Sequence, residues 1–153
     1  MTDVYKKLKE LGLKLPAAAE KGGVYRQAVK FCDNLVYISG CGPIISEPVE
    51  GIFGQEFNKE DGPELSRDAM LNVLAVLENE IGDLNRVKQP VKITTFVASA
   101  DSFHDQPYVA NGGSKLLAEL FGADHVPSRS AIGLNALPGN IPVETEALFE
   151  IQP

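Results

Sequence analysis

The sequence predicts an α+β layer, a mixed β-sheet with helices packed on one face. Three observations predict it. Short segments alternate apolar and polar residues, longer segments between them repeat apolar residues at helical spacing, and a chain of 153 residues suits one domain with a real core.

Taken in order, Thr2 is placed to cap a short helix with apolar Val4, Tyr5, Leu8 and Leu11, ended by Gly12 and Pro16. Leu15 to Gly23 reads as loop, so residues 1–22 form a helix-and-loop extension of a single domain, 1–153. Tyr25–Phe31 and Leu35–Gly40 form a hairpin around Cys32-Asp33-Asn34. Pairing Phe31 with Leu35 puts Val29 opposite Tyr37 and gathers Tyr25, Gln27, Ser39 and Cys41 on one face at its open end. That face is either a sheet surface satisfying its own hydroxyls or part of a site. The glycines of Gly40-Cys41-Gly42-Pro43 permit a sharp bend or a close backbone approach.

Ile44 to Gly62 is rich in Pro, Gly and Glu, with a short strand expected near Ile52 and Phe53. Pro63 suits the first turn of a helix over Glu64–Ile81, closed by Gly82. Leu65, Ala69, Val73, Val76, Leu77 and Ile81 line its buried side, and Met70 is read as packing. Val91–Ala98 alternates as a strand. A second long helix opens near Asp105 and ends before Gly122, with Tyr108, Leu116, Leu117, Leu120 and Phe121 on its apolar side. Gly112-Gly113 weakens its middle by about 1 kcal/mol per glycine relative to Ala, a cost that points to close packing or a kink. Asn111 beside them is either a surface amide or a ligand contact.

The stretch Pro127–Glu150 reads as two strands around the turn Leu137-Pro138-Gly139-Asn140-Ile141-Pro142. Paired as a hairpin through Ala136 and Val143, it would set Ile132, Leu134, Ala136, Val143, Thr145, Ala147 and Phe149 on a packing face. Arg129, Ala131, Gly133, Asn135, Glu144, Glu146 and Glu150 would line the other. From Ile93 onward the only basic residues are Lys115 and Arg129. Arg129 is then either one half of a cross-strand ion pair with Glu150 or a two-pronged grip on a ligand carboxylate. The sheet face away from the helices is too polar for a second helix layer, which leads to an expectation of self-association around a cyclic axis.

Composition narrows the function. No apolar run approaches the roughly 20 residues of a membrane span, and Met1 to Lys7 lack the apolar segment of a signal peptide. Cys32 and Cys41 suggest free thiols in a cytoplasmic protein rather than a disulfide framework or a zinc site. A net charge of −7 argues against a surface that tracks nucleic-acid phosphates, while leaving room for a small anion at one local cation.

Three stretches resemble the RidA (YjgF) family. Gly23-Val24-Tyr25-Arg26-Gln27-Ala28 matches its G-x-Y-x-Q-A motif, and Tyr37-Ile38-Ser39-Gly40 its second strand. Pro127-Ser128-Arg129-Ser130, with Leu137-Pro138 and Val143-Glu144-Thr145-Glu146, matches its P-x-R-S…L-P…V-E-x-E signature. The resemblance implies a chorismate-mutase-like α+β sandwich, assembled as a homotrimer with a barrel of sheets inside, helices outside and ligand clefts between subunits. It also implies hydrolysis of reactive 2-imino or enamino acids to 2-keto acids and ammonia. Arg129 would hold the substrate carboxylate and Glu144 would position or activate water. Tyr25, Ser39, Gly40 and Asn111 would line the cleft, Asn111 through an insertion after Phe103. Ala131 stands where active relatives commonly carry Cys, so only its backbone could contribute. An imine conjugated to a carboxylate is already electrophilic, so no metal or other cofactor is called for. Two other functions compete: a non-catalytic binding module for a small carboxylated metabolite, and an endoribonuclease in which His104 and His125 serve as acid and base. The acidic chain and the lack of a basic stripe disfavour RNA.

Overall fold

A computed structural model describes residues 2–153; Met1 lies outside the described residues. Five strands form one sheet: β1 (Ala28–Phe31), β2 (Leu35–Cys41), β3 (Val87–Ala98), β4 (Ser128–Leu134) and β5 (Val143–Ile151), in the spatial order β1-β2-β5-β3-β4. Helices α2 (Gly62–Ile81) and α3 (Gln106–Phe121) cover one face, and α1 (Val4–Glu10) packs beside α3. This is the predicted α+β layer.

Most local signals act as expected. The first hairpin turns at Cys32 and Asp33, both at positive φ, with Phe31 opposite Leu35 and Val29 opposite Tyr37. Helix α2 carries Pro63 in its first turn and closes on Gly82 in the left-handed region. Its Met70 is fully buried, as are Val73, Leu74 and Leu77, and the core continues through Ile38, Ile93, Leu117 and Phe149. The N-cap of α1 is Asp3 rather than Thr2: its carboxylate accepts from the backbone N–H groups of Tyr5 and Lys6. The expected strand near Ile52 reduces to isolated bridges of Phe53 to Phe57 and Ser99. Tyr108 is exposed rather than on the apolar side of α3, with the Lys59 ammonium over its ring.

The glycines in α3 are there for close packing. A Cβ on Gly112 would sit 1.7 Å from the Pro63 carbonyl oxygen, so α2 and α3 touch backbone to backbone. The buried Ser66 hydroxyl sits at the same crossing, donating to the Val109 carbonyl and accepting from the Gly113 N–H.

The C-terminal hairpin does not form. Strand β3 lies between β4 and β5, running parallel to β4 and antiparallel to β5. Because β4 and β5 are still antiparallel to each other, the connection 135–142 must cross two strand spacings, about 10 Å, instead of one. A 3-10 turn at Pro138–Asn140, with Gly139 and Asn140 at positive φ, shapes that crossing, and the Asn140 carbonyl accepts from the Gly51 N–H.

The altered neighbour changes the faces. Arg129 pairs with Ile93, Ala131 with Thr95 and Gly133 with Val97, so these three side the helices. Ile132, expected in the core, faces outward and is 43% exposed. On β5 the expectation was right: Val143, Thr145, Ala147 and Phe149 are buried, and Glu144, Glu146, Leu148 and Glu150 point to the open face.

Candidate functional site

The side chains singled out in the sequence fall into two groups on opposite faces of the sheet. The first is built on Arg129, near the start of the edge strand β4 and beside α3. Its Nη1 donates to the Asn111 side-chain oxygen at 2.8 Å and to the Ser114 hydroxyl at 3.2 Å. Both acceptors are neutral. Among the described residues no carboxylate lies within ion-pair distance of Arg129, and the ion pair with Glu150 is not made. Glu150 instead accepts from Lys88, Gln89 and Asn34, which hold its carboxyl below the usual range. Two neutral clamps fix the guanidinium while leaving its charge unneutralised and its other N–H edge open. Such a group is prepared for a carboxylate or phosphate in a two-pronged bond.

The second group stands on the open face. Strand β2 pairs with β5 from Leu35 to Ile38, then slips by one residue so that Cys41 meets Thr145. The bulge contains Ser39 and Gly40. It brings the Gly40 backbone under the Glu144 side chain, where a Cβ would lie 2.7 Å from the carboxyl carbon. Glu144 is half-buried and has no hydrogen-bond partner among the described residues. Burial, and then the nearby Glu146, raise its pKa above the ordinary glutamate value. A carboxylate in that setting is a stronger base than one in bulk water.

Cys41 is turned toward the core and donates to the Ser39 carbonyl. Burial and then Glu144 push its thiol up to about 12, which makes it a poor nucleophile. Strand β1 begins at Ala28, short of the expected Tyr25, although the Gln27 carbonyl still accepts from the Ser39 N–H. Tyr25 therefore lies outside β1 and is not paired opposite Cys41 as the longer hairpin would have it. Its hydroxyl accepts from the Gly22 N–H, and it lines a groove of about 640 Å³ with Val76, Asn79 and Glu80 of α2.

Arg129 and Glu144 were expected on one face. They are separated because β3 stands between their strands: Arg129 shares the face of Ile93, and Glu144 shares the face of Phe96. Asn111 does reach Arg129. Ser114 was overlooked, although its place one helical turn after Asn111 puts it on the same side of α3. Tyr37 was also overlooked; it is 44% exposed on the open face and lies opposite Leu148, diagonal to Glu146 on β5. Of the histidines, His104 is exposed and the His125 Nδ1 bonds the Phe121 carbonyl of its own segment. Among the described residues no cluster of His, Cys, Asp or Glu could hold a metal ion, and no helix is long and apolar enough to cross a membrane.

Fold and site together define an α+β protein with helices on one sheet face and a half-buried carboxylate, Glu144, on the other. The family model described as Endoribonuclease L-PSP matches residues 16–151, and the chain belongs to that family, to which the RidA-type motifs also point. It is 37% identical to Protein TCP17 of Trypanosoma cruzi over 150 residues, 94% of this chain and 91% of that one. Among solved structures it is similar to Atu1372 of Agrobacterium tumefaciens, described as of unknown function, with 34% identity, a TM-score of 0.88 and coverage of 97% and 92% of the two chains. It is also similar to RidA from the Antarctic bacterium Psychrobacter, with 26% identity, a TM-score of 0.62 and coverage of 90% and 96%.

Proposed function

We propose that the protein hydrolyses reactive 2-imino and enamino acids to 2-keto acids and ammonia, at sites that two copies of the chain complete within a homotrimer. The observation that carries this reading is the Arg129 guanidinium, clamped by two neutral acceptors and matched by no acid among the described residues. Glu144 supports it from the opposite face, as a half-buried carboxylate over Gly40. Since a single copy keeps these groups on opposite faces of its sheet, one copy's edge strand must meet another's open face. The RidA neighbour and the family match make that assembly the natural one.

In this reading Arg129 takes the substrate carboxylate and so fixes the neighbouring C2. Water attacks C2 as Glu144 removes one of its protons, the C=N electron pair moves to nitrogen, and Glu144 delivers that proton to the nitrogen. In the resulting carbinolamine Glu144 takes the hydroxyl proton and passes it to the amino nitrogen, so that the carbonyl forms as the C–N bond breaks and ammonia departs. Glu144 ends as it began, and enamino substrates enter after tautomerising to the imine. Ser39, Gly40 and the backbone of Ala131 border the reacting atoms; Asn111 acts by holding Arg129.

The test is keto-acid formation from freshly generated 2-iminopropanoate. Arg129→Ala should reduce it by at least about a hundredfold while the oligomer, read by light scattering, persists. Glu144→Gln should do the same. Mixing the two variants after dissociation and reassembly should restore about a quarter of the wild-type rate, the share of sites that draw an intact Arg129 and an intact Glu144 from different copies. An inactive wild-type protein that binds 2-keto acids through Arg129 would instead indicate the binding module. RNA cleavage that survives Arg129→Ala and is lost with His104 or His125 would indicate the ribonuclease.

A further inference from the structure

The two side chains that clamp Arg129, Asn111 and Ser114, both stand on α3. Asn111 is exposed, so its position depends on the backbone of its own helical turn. That turn is loose by composition, because Gly112 and Gly113 follow and each weakens a helix relative to Ala. What steadies it comes from α2. The Ser66 hydroxyl donates to the Val109 carbonyl and accepts from the Gly113 N–H at 3.1 Å. These two backbone groups stand four residues apart, the pair that an α-helix joins directly. One hydroxyl therefore grips both ends of the helical link that spans Asn111. Ser66 is 1% exposed, so bulk water does not replace it. Backbone meets backbone at the same point: a Cβ on Gly112 would run into the Pro63 carbonyl, which is also the second acceptor in reach of the Ser66 hydroxyl, at 3.3 Å.

We propose that Ser66 is a positioning residue for Arg129: its hydroxyl fixes the Val109–Gly113 turn of α3, that turn places Asn111 and Ser114, and they aim the guanidinium. The linkage rests on contacts in this chain; its service to hydrolysis rests on the function proposed above. The glycines and the hydroxyl have complementary tasks. Gly112 and Gly113 let α2 approach until Ser66 reaches the helical ladder, and Ser66 returns the definition that two glycines remove. Without the hydroxyl, the Gly113 N–H and the Val109 carbonyl can still pair with each other, so the helix and the fold survive. What is lost is the tie of that turn to α2, and with it the fixed 2.8 Å bond from Arg129 to Asn111. Arg86 lies off this path. Its guanidinium donates to the Ile81 and Gln152 carbonyls, at the far end of α2, and reports whether the helix as a whole has loosened.

The chain holds four arginines, Arg26, Arg67, Arg86 and Arg129, so 15N-arginine labelling of the assembled protein lets NMR follow each guanidinium without any need for turnover. Arg129 is assigned by the signal lost in Arg129→Lys. In the wild type its rotation about the Nε–Cζ bond should be slow, as befits a guanidinium bonded twice on one edge. Ser66→Ala should speed that rotation severalfold, the worth of a weakened hydrogen bond, and leave Arg86 as it was. In a protein that already carries Asn111→Ala and Ser114→Ala, Ser66→Ala should add nothing. Arg129 rotation unchanged by Ser66→Ala would overturn the proposal, as would an acceleration that Arg86 shares or that persists without the two clamps. A Ser66→Ala chain that fails to fold would overturn it too, by making the hydroxyl a condition of the fold. If the wild type hydrolyses the imine, Ser66→Ala should lower kcat/KM, by less than Arg129→Ala because the charge remains; a wild-type value would remove Ser66 from the reaction. If the wild type is inactive, the NMR result still decides the linkage while the deaminase reading fails separately.

Discussion

Replacing Gly40 with Ala adds one methyl group at the floor of the Glu144 carboxylate. The new Cβ would lie 2.7 Å from the carboxyl carbon, 2.9 Å from Cγ and 3.0 Å from Oε1. Ordinary carbon–carbon contact begins near 3.5 Å, so the carboxylate must retreat by about 1 Å. The obstacle is the end of a flexible side chain rather than backbone, so rotation relieves most of the clash. Stability should then change by less than about 1 kcal/mol, since Ala also lowers the entropy of the unfolded chain. Catalysis is less forgiving, and a displacement of that size costs on the order of a hundredfold in rate. The assay pairs imine hydrolysis with thermal unfolding on the same preparation. A Gly40→Ala protein of near-normal Tm and wild-type activity would refute the placement of Glu144 over the bulge as the seat of the base. Loss of activity together with collapse of Tm would refute the claim that the side chain, not the fold, absorbs the methyl group.

Two other substitutions test the fold and the charge state. Gly112→Ala should destabilise the protein by about 2 kcal/mol in urea unfolding, against the helix-propensity gain of about 1 kcal/mol that Ala brings, because its Cβ meets Pro63 backbone. Neutral or improved stability would contradict the backbone contact between α2 and α3. Glu144→Gln should raise Tm at neutral pH. The folded state raises the Glu144 pKa above 4.5, so the ionised form opposes folding. The penalty is absent below the unfolded pKa and grows as pH rises through the folded one. The advantage of Gln should therefore shrink toward zero as the scan descends below pH 4.5. An advantage independent of pH would remove ionisation as its cause.

The positions of α2 and α3, the first hairpin and the alternation of β5 follow from local chemistry. Proline at a helix start, glycine past its end and a period of two along a strand act within a few residues, so the chain itself records them. Arg129 and Asn111 stood out as candidates from the residues around them, whereas the roles of Arg129, Glu144 and Asn111 came from the family motifs, which record chemistry without geometry. Pairing partners are a different matter. An antiparallel pair joined by a Pro/Gly-rich connection reads the same whether the strands touch or straddle a third, because alternation describes faces and not neighbours. Insertion of β3 between β4 and β5 was decided by the whole sheet. There the uniformly buried alternate residues of β5 gain most from a central position, and the polar β4 is left at the edge. That single long-range choice moved Arg129 to the helix side and paired it with Asn111 and Ser114. It also left Glu144 with Tyr37 and Glu146 on the open face. Residues distant along the chain were brought together by burial of area, a sum over the molecule that no local window contains.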